Sequence, residues 1–396
     1  MAVDLRREKG VPVRDQYDFD WRDLARLPVS KLDDDAFTRV RVIALNGIEA
    51  EAVSFQHEIA RHLRDLREEA AVIRRVEHHQ QTLVNWLLPA DLSPVETTIN
   101  YEQVAIELTA HIAIHEPDPY LAQVHRFGLL EDFDHLYRFA ALADRLYGID
   151  ANNLLNSYTD IRPGRPTRAE HRHPHDDLRT PYDRGHVTPL TRIQALTLLA
   201  SEQQTRAYYM NIGPTFADPL ARQVYAEIAS IEEQHVTQYE SIIDPDETWL
   251  ERWLVHEAME VWNYVSAAAW ETNSRIKAIW QRFADYELGQ LQAVMDLFQQ
   301  IERRDPFEVL PETLPEPIAW ESHRQYVRQV LADEVHLRTV GPDFVDSHQV
   351  QETPDTLRYR QRLNMHGSPT DTVAVGYVWR PGGELAPAPA VAGGAK

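Results

Sequence analysis

The fold is decided by residues 202–235, EQQTRAYYMNIGPTFADPLARQVYAEIASIEEQH. Helix-forming residues lie on both sides of the breaker IGPTFADP, so an antiparallel helical hairpin is predicted. Glu202 lies on its first helix, and Glu232 and His235 lie on its second. At about 1.5 Å of rise per residue, Glu202 is about 20 Å before the turn and Glu232 about 20 Å after it. The two carboxylates are therefore expected to lie side by side on the antiparallel helices. Glu232 and His235 share one helix face because residues three apart are neighbours on a helix surface.

A second hairpin of the same design is predicted upstream. Glu107 lies on a helix that ends at Glu116-Pro117-Asp118-Pro119, and the next helix carries Asp132 and His135, again three apart. A carboxylate on one helix facing a carboxylate and a histidine on its neighbour is half of a di-metal carboxylate site. We therefore expect the two hairpins to converge on one pair of metals. The candidate ligands are Glu107, Asp132, His135, Glu202, Glu232 and His235.

The order of these residues, over positions 96–242, resembles the ferritin-like, rubrerythrin-type family of di-iron carboxylate proteins. The resemblance implies a four-helix bundle with two iron ions, manganese or a mixed manganese and iron pair being the alternatives. Asp132 departs from the family pattern, which has glutamate at that position, so the symmetry and occupancy of its metal position stay open. A bundle of this kind needs one long crossover, and the connection 149–188 supplies it.

The composition limits both the chemistry and the partners. Apolar residues make up 43% of the chain and glycine occupies only 15 positions, as in mainly helical proteins. The formal charge of −22 disfavours nucleic acid and anionic membranes as partners. The chain has no cysteine, which excludes disulfides, thiolate zinc sites and iron–sulfur clusters. A metal must therefore be held by carboxylate and imidazole, and electrons must come from an external donor.

The sequence also favours a cytoplasmic location. No apolar run approaches the ~18 residues that a membrane-spanning helix needs. The N-terminus lacks the apolar core of a signal peptide. The oligomeric state stays open, with a homodimer among the alternatives.

Two further hairpins repeat the design with glutamine where histidine would stand. Their polar positions are Glu51, Glu77 and Gln80 in the first, and Glu257, Glu260, Glu287 and Gln290 in the second. A neutral amide is a poor metal ligand, so the first of these hairpins is interpreted as a degenerate copy that stabilises the bundle by hydrogen bonds.

The four hairpins can be assembled in two ways. In the preferred assembly, the histidine hairpins pair around one metal site and the glutamine hairpins flank them. In the other, residues 33–148 and 188–302 form two bundles, each with one hairpin of each kind. The first is preferred because it brings four carboxylates and two histidines together.

The chain is thus predicted to be all-α, with a ferritin-like bundle and additional flanking hairpins. Its parts are an extended arm (1–32), a flanking hairpin (33–95), the di-metal bundle (96–245), a second flanking hairpin (246–304), a C-terminal helix (305–345) and an irregular or disordered tail (346–396).

The predicted ligands favour an oxidoreductase that uses dioxygen or peroxide and acts on a small-molecule substrate. An iron-handling ferroxidase and a metal-free helical scaffold are the alternatives. The sequence identifies no catalytic side chain and does not name the substrate.

Some other polar residues lie outside the predicted ligand set. His111 is an extra ligand or an ordinary polar residue, and the histidines 171, 173 and 175 belong to a second metal site, a lid or a solvated loop. The tyrosines 208, 209, 225 and 239 are core residues or redox partners of the metals. Glu131 and Asp134 are interpreted as surface charges because they are turned away from Asp132 and His135.

Overall fold

The computed structural model describes residues 3–340 and 343–379. It is 68% helical, with 15 α-helices and one two-stranded sheet in the described residues. The all-α class predicted from the sequence is therefore confirmed at this level. Within the same residues, no helix is both long enough and apolar enough to cross a bilayer.

Ten of these helices have ten residues or more and are numbered in chain order. They are α1 (Ala36–His62), α2 (Arg67–Trp86), α3 (Pro94–His115), α4 (Pro119–Tyr147), α5 (Pro189–Ile212), α6 (Pro219–Ser241), α7 (Trp249–Trp270), α8 (Ser274–Glu302), α9 (Arg324–Glu334) and α10 (Pro354–Leu363). Shorter helices are Trp21–Leu24, Asn152–Leu155, Thr167–Glu170, Pro174–Asp177 and Pro369–Val373. The antiparallel strands are β1 (Leu337–Val340) and β2 (Asp343–Asp346).

An aspartate followed by proline starts the second helix of both central hairpins. Asp118 accepts hydrogen bonds from the backbone of Tyr120 and Leu121, and Asp218 accepts one from Ala221. Proline is tolerated directly after each aspartate because the first amide of a helix has no partner inside the helix. These pairs therefore fix where each turn ends and how far along the helix the acidic and histidine residues lie.

The two histidine hairpins pack against each other, and the glutamine hairpins lie beside them. Within the central group, α3 contacts α5 and α4 contacts α6. The flanking helix α1 contacts α3 and α5, and α7 contacts α1 and α5. The histidine hairpins thus share one interior, as in the preferred assembly.

The crossover from α4 to α5 lies against α4 and α6 rather than looping into solvent. The backbone amide of Arg165 donates to Leu130 O (2.9 Å), and that of Arg172 donates to the Gln234 side chain (2.9 Å). Gly164 permits this approach, since a Cβ there would lie 2.3 Å from the carbonyl oxygen of Leu130. The crossover consequently covers one side of the central helices.

The N-terminal arm packs on α8. The backbone amide of Val11 donates to Asp285 O (2.8 Å), and the buried Gln16 side chain donates to Tyr286 O (2.8 Å). The arm comes so close that a Cβ at Gly289 would lie 1.7 Å from Val11 O.

The C-terminal region differs from the prediction. Helix α9 is shorter than the predicted element, and strands β1 and β2 follow it. The region predicted to be irregular contains α10 and the helix Pro369–Val373, because tertiary contacts outweigh its polar composition. Arg138 of α4 donates to Thr370 O, and the Thr370 amide donates to Glu227 of α6. The predicted disorder at positions 380–396 lies outside the described residues.

Candidate metal centre

Two groups of carboxylate and imidazole side chains meet inside the central helices and share one glutamate. In each group, one ligand atom per residue lies within 4.8 Å of the others. The first group is Asp132, Glu202, Glu232 and His235, and the second is Glu102, His135 and Glu232. None of these six residues, called the central cluster below, is more than 1% exposed.

Each central helix contributes to the central cluster, although α3 does so through Glu102 and not through the predicted Glu107. Helices α3 and α5 each supply one glutamate, while α4 and α6 each supply an acid and a histidine three residues apart. The spacing of three places acid and histidine on one face, so both point to the interior. The rings of His135 and His235 stack with their centroids 5.9 Å apart.

The two ring nitrogens of His235 have different surroundings. Nε2 contacts Glu131, and Nδ1 faces the other residues of the central cluster. Its Nε2 donates to Glu131 across 2.7 Å. Its Nδ1 lies 3.2 Å from Asp132, 3.3 Å from Glu232 and 3.5 Å from Glu202. A carboxylate that holds the proton on the outer nitrogen leaves the inner nitrogen free to bind a metal.

His135 is less constrained than His235. Its Nδ1 lies 3.0 Å from Glu232 and 3.9 Å from Asp132. Its Nε2 has no hydrogen-bond partner among the described residues. The two histidine positions therefore differ in the support that the protein gives them.

Most ligand atoms of the central cluster lack a hydrogen-bond partner in the part of the chain that the structure describes. These atoms are both carboxylate oxygens of Asp132, Glu202 and Glu232, Oε2 of Glu102, both ring nitrogens of His135 and Nδ1 of His235. A buried polar atom without a partner costs about 1–3 kcal/mol, and more when it is charged. So many unpartnered atoms at one point form a donor set that could hold a metal ion.

The side chains of the central cluster shift one another's pKa values. Burial and the neighbouring carboxylates raise the pKa of Glu102 and Glu202 well above the usual range. Burial acts on Glu232 in the same direction, but the two histidines outweigh it and lower its pKa to about 2. Burial also disfavours the imidazolium of His235, yet Asp132 and Glu202 raise its pKa well above normal. Bound protons therefore offset part of the negative charge of the central cluster.

The donor set fits iron or manganese. Hard carboxylate oxygens combined with two imidazoles suit divalent iron and manganese, and the absence of thiolate disfavours softer metals. The residues that support the ligands also fit, because metal-binding histidines usually donate their other nitrogen to a carboxylate. Glu131 does so for His235.

Glu131 belongs to a buried ion network and is not a surface charge, so that interpretation was wrong. Arg172 of the crossover lies 2.6 Å from Glu131, 3.2 Å from Glu170 and 2.6 Å from Asp177. Burial opposes ionisation of Glu131, but Arg172 and then His235 hold its pKa well below the usual range. The crossover thus keeps Glu131 as the anion that orients His235.

Asp134 is also buried and was misinterpreted in the same way. It accepts hydrogen bonds from Arg138, from the backbone amide of Gly164 and from Thr167. It fastens the crossover to α4.

Glu107 lies outside the central cluster, and Glu102 stands in the place expected for it. The Glu107 carboxylate accepts a hydrogen bond from Thr159 (2.5 Å) and others from the amide (2.8 Å) and ring (3.0 Å) of His323. A signal for Glu102 was present in the sequence, since 30 residues separate Glu102 from Asp132 and also Glu202 from Glu232.

Two tyrosines border the central cluster. Tyr209 is buried and donates to Glu102. Tyr239 lies one turn after His235 and is also fully buried, and its hydroxyl has no partner among the described residues. Tyr208 and Tyr225 pack against Tyr209, with ring centroids 6.0 Å and 5.8 Å from that of Tyr209.

The other histidines of interest lie away from the central cluster. His111 packs against His115 and His323, and burial together with these two rings lowers its pKa to about 3. His171 is buried with its Nε2 3.5 Å from Glu227. The rings of His173 and His175 lie tilted against each other with centroids 5.0 Å apart.

No family model matches the chain, and neither the curated proteins nor the solved structures include one with significant similarity to it.

Proposed function

We propose that the central cluster holds two metal ions, iron or manganese, within a ferritin-like bundle, and that this centre serves an oxygen- or peroxide-dependent oxidoreductase. The observation that carries the proposal is the convergence of unpartnered, fully buried ligand atoms from four helices around Glu232. A core of hydrogen-bonded ion pairs would leave few such atoms, because buried polar groups in folded proteins are almost always satisfied.

The division of the central cluster into two groups suggests which residues hold each ion. Glu102 and His135 would hold one, and Asp132, Glu202 and His235 would hold the other. Glu232 belongs to both groups and would be shared. When bound, two such ions supply Lewis acidity and a pair of electrons, which suits the reduction of dioxygen or peroxide.

The chain itself supplies orientation and protection from water. Glu131 keeps the proton of His235 on Nε2, so Nδ1 faces inward. Tyr209 donates to Glu102 and so fixes one carboxylate oxygen of that ligand. The buried walls exclude bulk solvent, which strengthens every electrostatic interaction inside.

Tyr239 is the side chain best placed to assist the reaction. Its hydroxyl is a buried donor without a partner among the described residues, and it occupies space that Gly128 leaves free. A Cβ at Gly128 would lie 2.7 Å from that hydroxyl oxygen. Tyr239 can therefore donate a hydrogen bond, or the phenolic hydrogen atom, to a small molecule beside the central cluster.

The test compares two glutamates on the same helix. Both Glu102 and Glu107 lie on α3 and are at most 2% exposed, but only Glu102 belongs to the central cluster. Protein produced with iron and manganese supplied is expected to contain at least two metal ions per chain by elemental analysis. Glu102→Gln should contain at least one ion fewer than the wild type, and Glu107→Gln should contain as many as the wild type.

Three outcomes of this experiment would reject the di-metal oxidoreductase. Fewer than one ion per chain in the wild type supports a metal-free scaffold. Equal metal content in the two variants removes the central cluster as the binding site. Many ions per chain together with assembly into a large shell supports iron storage instead.

A further inference from the structure

The glutamine hairpins reproduce the spacing of the central cluster. Thirty residues separate Glu257 from Glu287, as they separate Glu202 from Glu232. Gln290 then stands three residues after Glu287, where the central hairpin has its histidine. The four flanking helices therefore carry a second copy of the pattern.

A tyrosine confirms the correspondence between the two copies. Tyr209 follows Glu202 by seven residues and donates to Glu102; Tyr264 follows Glu257 by seven residues and donates to Glu49. Glu49 is thus the counterpart of Glu102.

Glu49, and not the predicted Glu51, faces Gln80 in the flanking helices. The Gln80 amide donates to Glu49 across 3.2 Å. Glu51 is part-exposed and accepts a hydrogen bond from His256 instead.

Four glutamates meet at the centre of the flanking helices. One carboxylate oxygen from each lies within 4.8 Å of the others, and all four side chains are 0% exposed. The residues, called the glutamate cluster below, are Glu77, Glu257, Glu260 and Glu287.

Buried atoms without a hydrogen-bond partner lie in the glutamate cluster and on Gln290, one turn after Glu287, whose amide donates to Gln80 (3.1 Å). Both carboxylate oxygens of Glu77 lack a hydrogen-bond partner among the described residues, and so does one oxygen of each other member. The side-chain oxygen of Gln290 is also buried without a partner there. A self-contained network of shared protons would satisfy the oxygens of Glu77.

The surroundings provide little compensating charge. In the part of the chain that the structure describes, no lysine or arginine nitrogen forms an ion pair within 4.0 Å of these four carboxylates. His256 is the nearest cationic group, 3.0 Å from Glu260, and it is shared with Glu51.

We propose that the glutamate cluster binds one hard divalent cation, of the manganese and calcium class, through side-chain oxygens alone. Hard cations take oxygen ligands from glutamate and from side-chain amides, which is the donor set present. Glutamine stands at both histidine positions, so the glutamate cluster lacks the imidazoles of the central cluster. The cation neutralises two carboxylates, and the other two keep protons and donate hydrogen bonds.

The experiment uses a variant in which two proposed ligands of the central cluster are replaced, so that metal binding is measured at the glutamate cluster alone. Full-length Glu202→Gln/Glu232→Gln protein is stripped of metal and dialysed against Mn²⁺, and the bound Mn²⁺ is counted by electron paramagnetic resonance. One Mn²⁺ per chain is expected, and excess Ca²⁺ should displace it. Adding Glu77→Gln and Glu287→Gln should abolish binding, whereas adding Glu51→Gln should leave it at one.

Glutamine matches the shape and the neutral form of a buried glutamate, so the added substitutions are expected to preserve the fold, which circular dichroism checks. If the quadruple variant unfolds, Glu260→Gln in the same background should weaken Mn²⁺ binding at least tenfold. The proposal is overturned if the background variant binds no Mn²⁺, or if substitution within the glutamate cluster leaves binding unchanged. Either result leaves the proposed role of the central cluster untouched.

Discussion

At the scale of single residues, the side chains behind the proposed ligands decide how those ligands are oriented. His235 faces inward with Nδ1 because Glu131 accepts the proton of Nε2, and Glu131 remains an anion because Arg172 lies beside it. Such supporting carboxylates fix the tautomer and the orientation of a metal-binding histidine.

Replacement of Glu131 should therefore weaken metal binding without removing a ligand. Glu131→Gln offers an amide that can donate to Nε2 and so move the proton to the inward nitrogen. We expect about 10–100-fold weaker binding of Fe²⁺ or Mn²⁺, measured by competition with a chelator. The control is Glu233→Gln, which removes an exposed charge next to Glu232. Equal affinities for the two variants would show that Glu131 does not orient His235.

The sequence predicted five members of the central cluster but could not reveal Glu131. Asp132, His135, Glu202, Glu232 and His235 follow from helical spacing alone, and the structure brings them together. The partner that defines Glu131 lies 41 residues away in an irregular crossover, where no periodicity applies.

At the scale of elements, buried charges fasten helices to one another. Glu271, just after α7, forms an ion pair with Arg41 of α1 (2.9 Å) and accepts hydrogen bonds from Thr38 and Trp280. Both members of the pair are nearly inaccessible, so removal of one leaves a buried charge without a partner.

Stability should depend on pH through Glu271. Burial opposes its ionisation, but Arg41 outweighs burial and holds its pKa below the ordinary 4.5. A lowered pKa in the folded state gives stability that is complete above 4.5 and is lost as pH falls through the folded pKa. Urea denaturation should show this acid loss in the wild type, and Glu271→Gln should be less stable at neutral pH and lack that component.

Arg41→Ala tests the same pair from the other side. It should cost roughly 3–5 kcal/mol in the free energy of unfolding at neutral pH, because Glu271 is left buried and charged. A loss below about 1 kcal/mol, typical of exposed pairs, would contradict this role.

The crossover offers a second test at this scale. Gly164→Ala places a methyl group against the backbone of α4, so the crossover must move and the Arg172–Glu131 contact with it. We expect lower stability in urea and faster hydrogen exchange of the crossover amides. Gly185→Ala is the control, since its nearest contact is the Asp183 side chain at 3.2 Å.

The long helices and their turns were predictable because apolar periodicity and Asp-Pro pairs are local signals. The strands β1 and β2 and the helix Pro369–Val373 were not, because short elements depend on distant partners. Thr370 is held by Arg138 and Glu227, each more than 140 residues earlier in the chain.

At the scale of the whole molecule, metal binding and folding should be coupled. The proposed ligands of the central cluster come from four helices, and they would not be gathered in the unfolded chain. A ligand that binds only the folded state stabilises it by about 2.7 kcal/mol at one hundred times its dissociation constant. Unpartnered carboxylates and imidazoles add a cost to the metal-free protein.

Removal of metal should therefore lower the melting temperature. We expect calorimetry to show a lower Tm after chelation, and recovery when Fe²⁺ or Mn²⁺ is returned. Glu107→Gln should respond like the wild type, whereas Glu102→Gln should respond weakly. A Tm that chelation leaves unchanged would mean that the central cluster is a metal-free part of the core.

The most direct measurement of the di-metal centre is anomalous X-ray diffraction at the iron and manganese absorption edges, on crystals of protein produced with both metals. Two anomalous peaks are expected in the central cluster, one beside Glu102 and His135 and one beside Asp132, Glu202 and His235, with Glu232 next to both. Protein in which these six side chains surround no anomalous scatterer would contradict the metal centre.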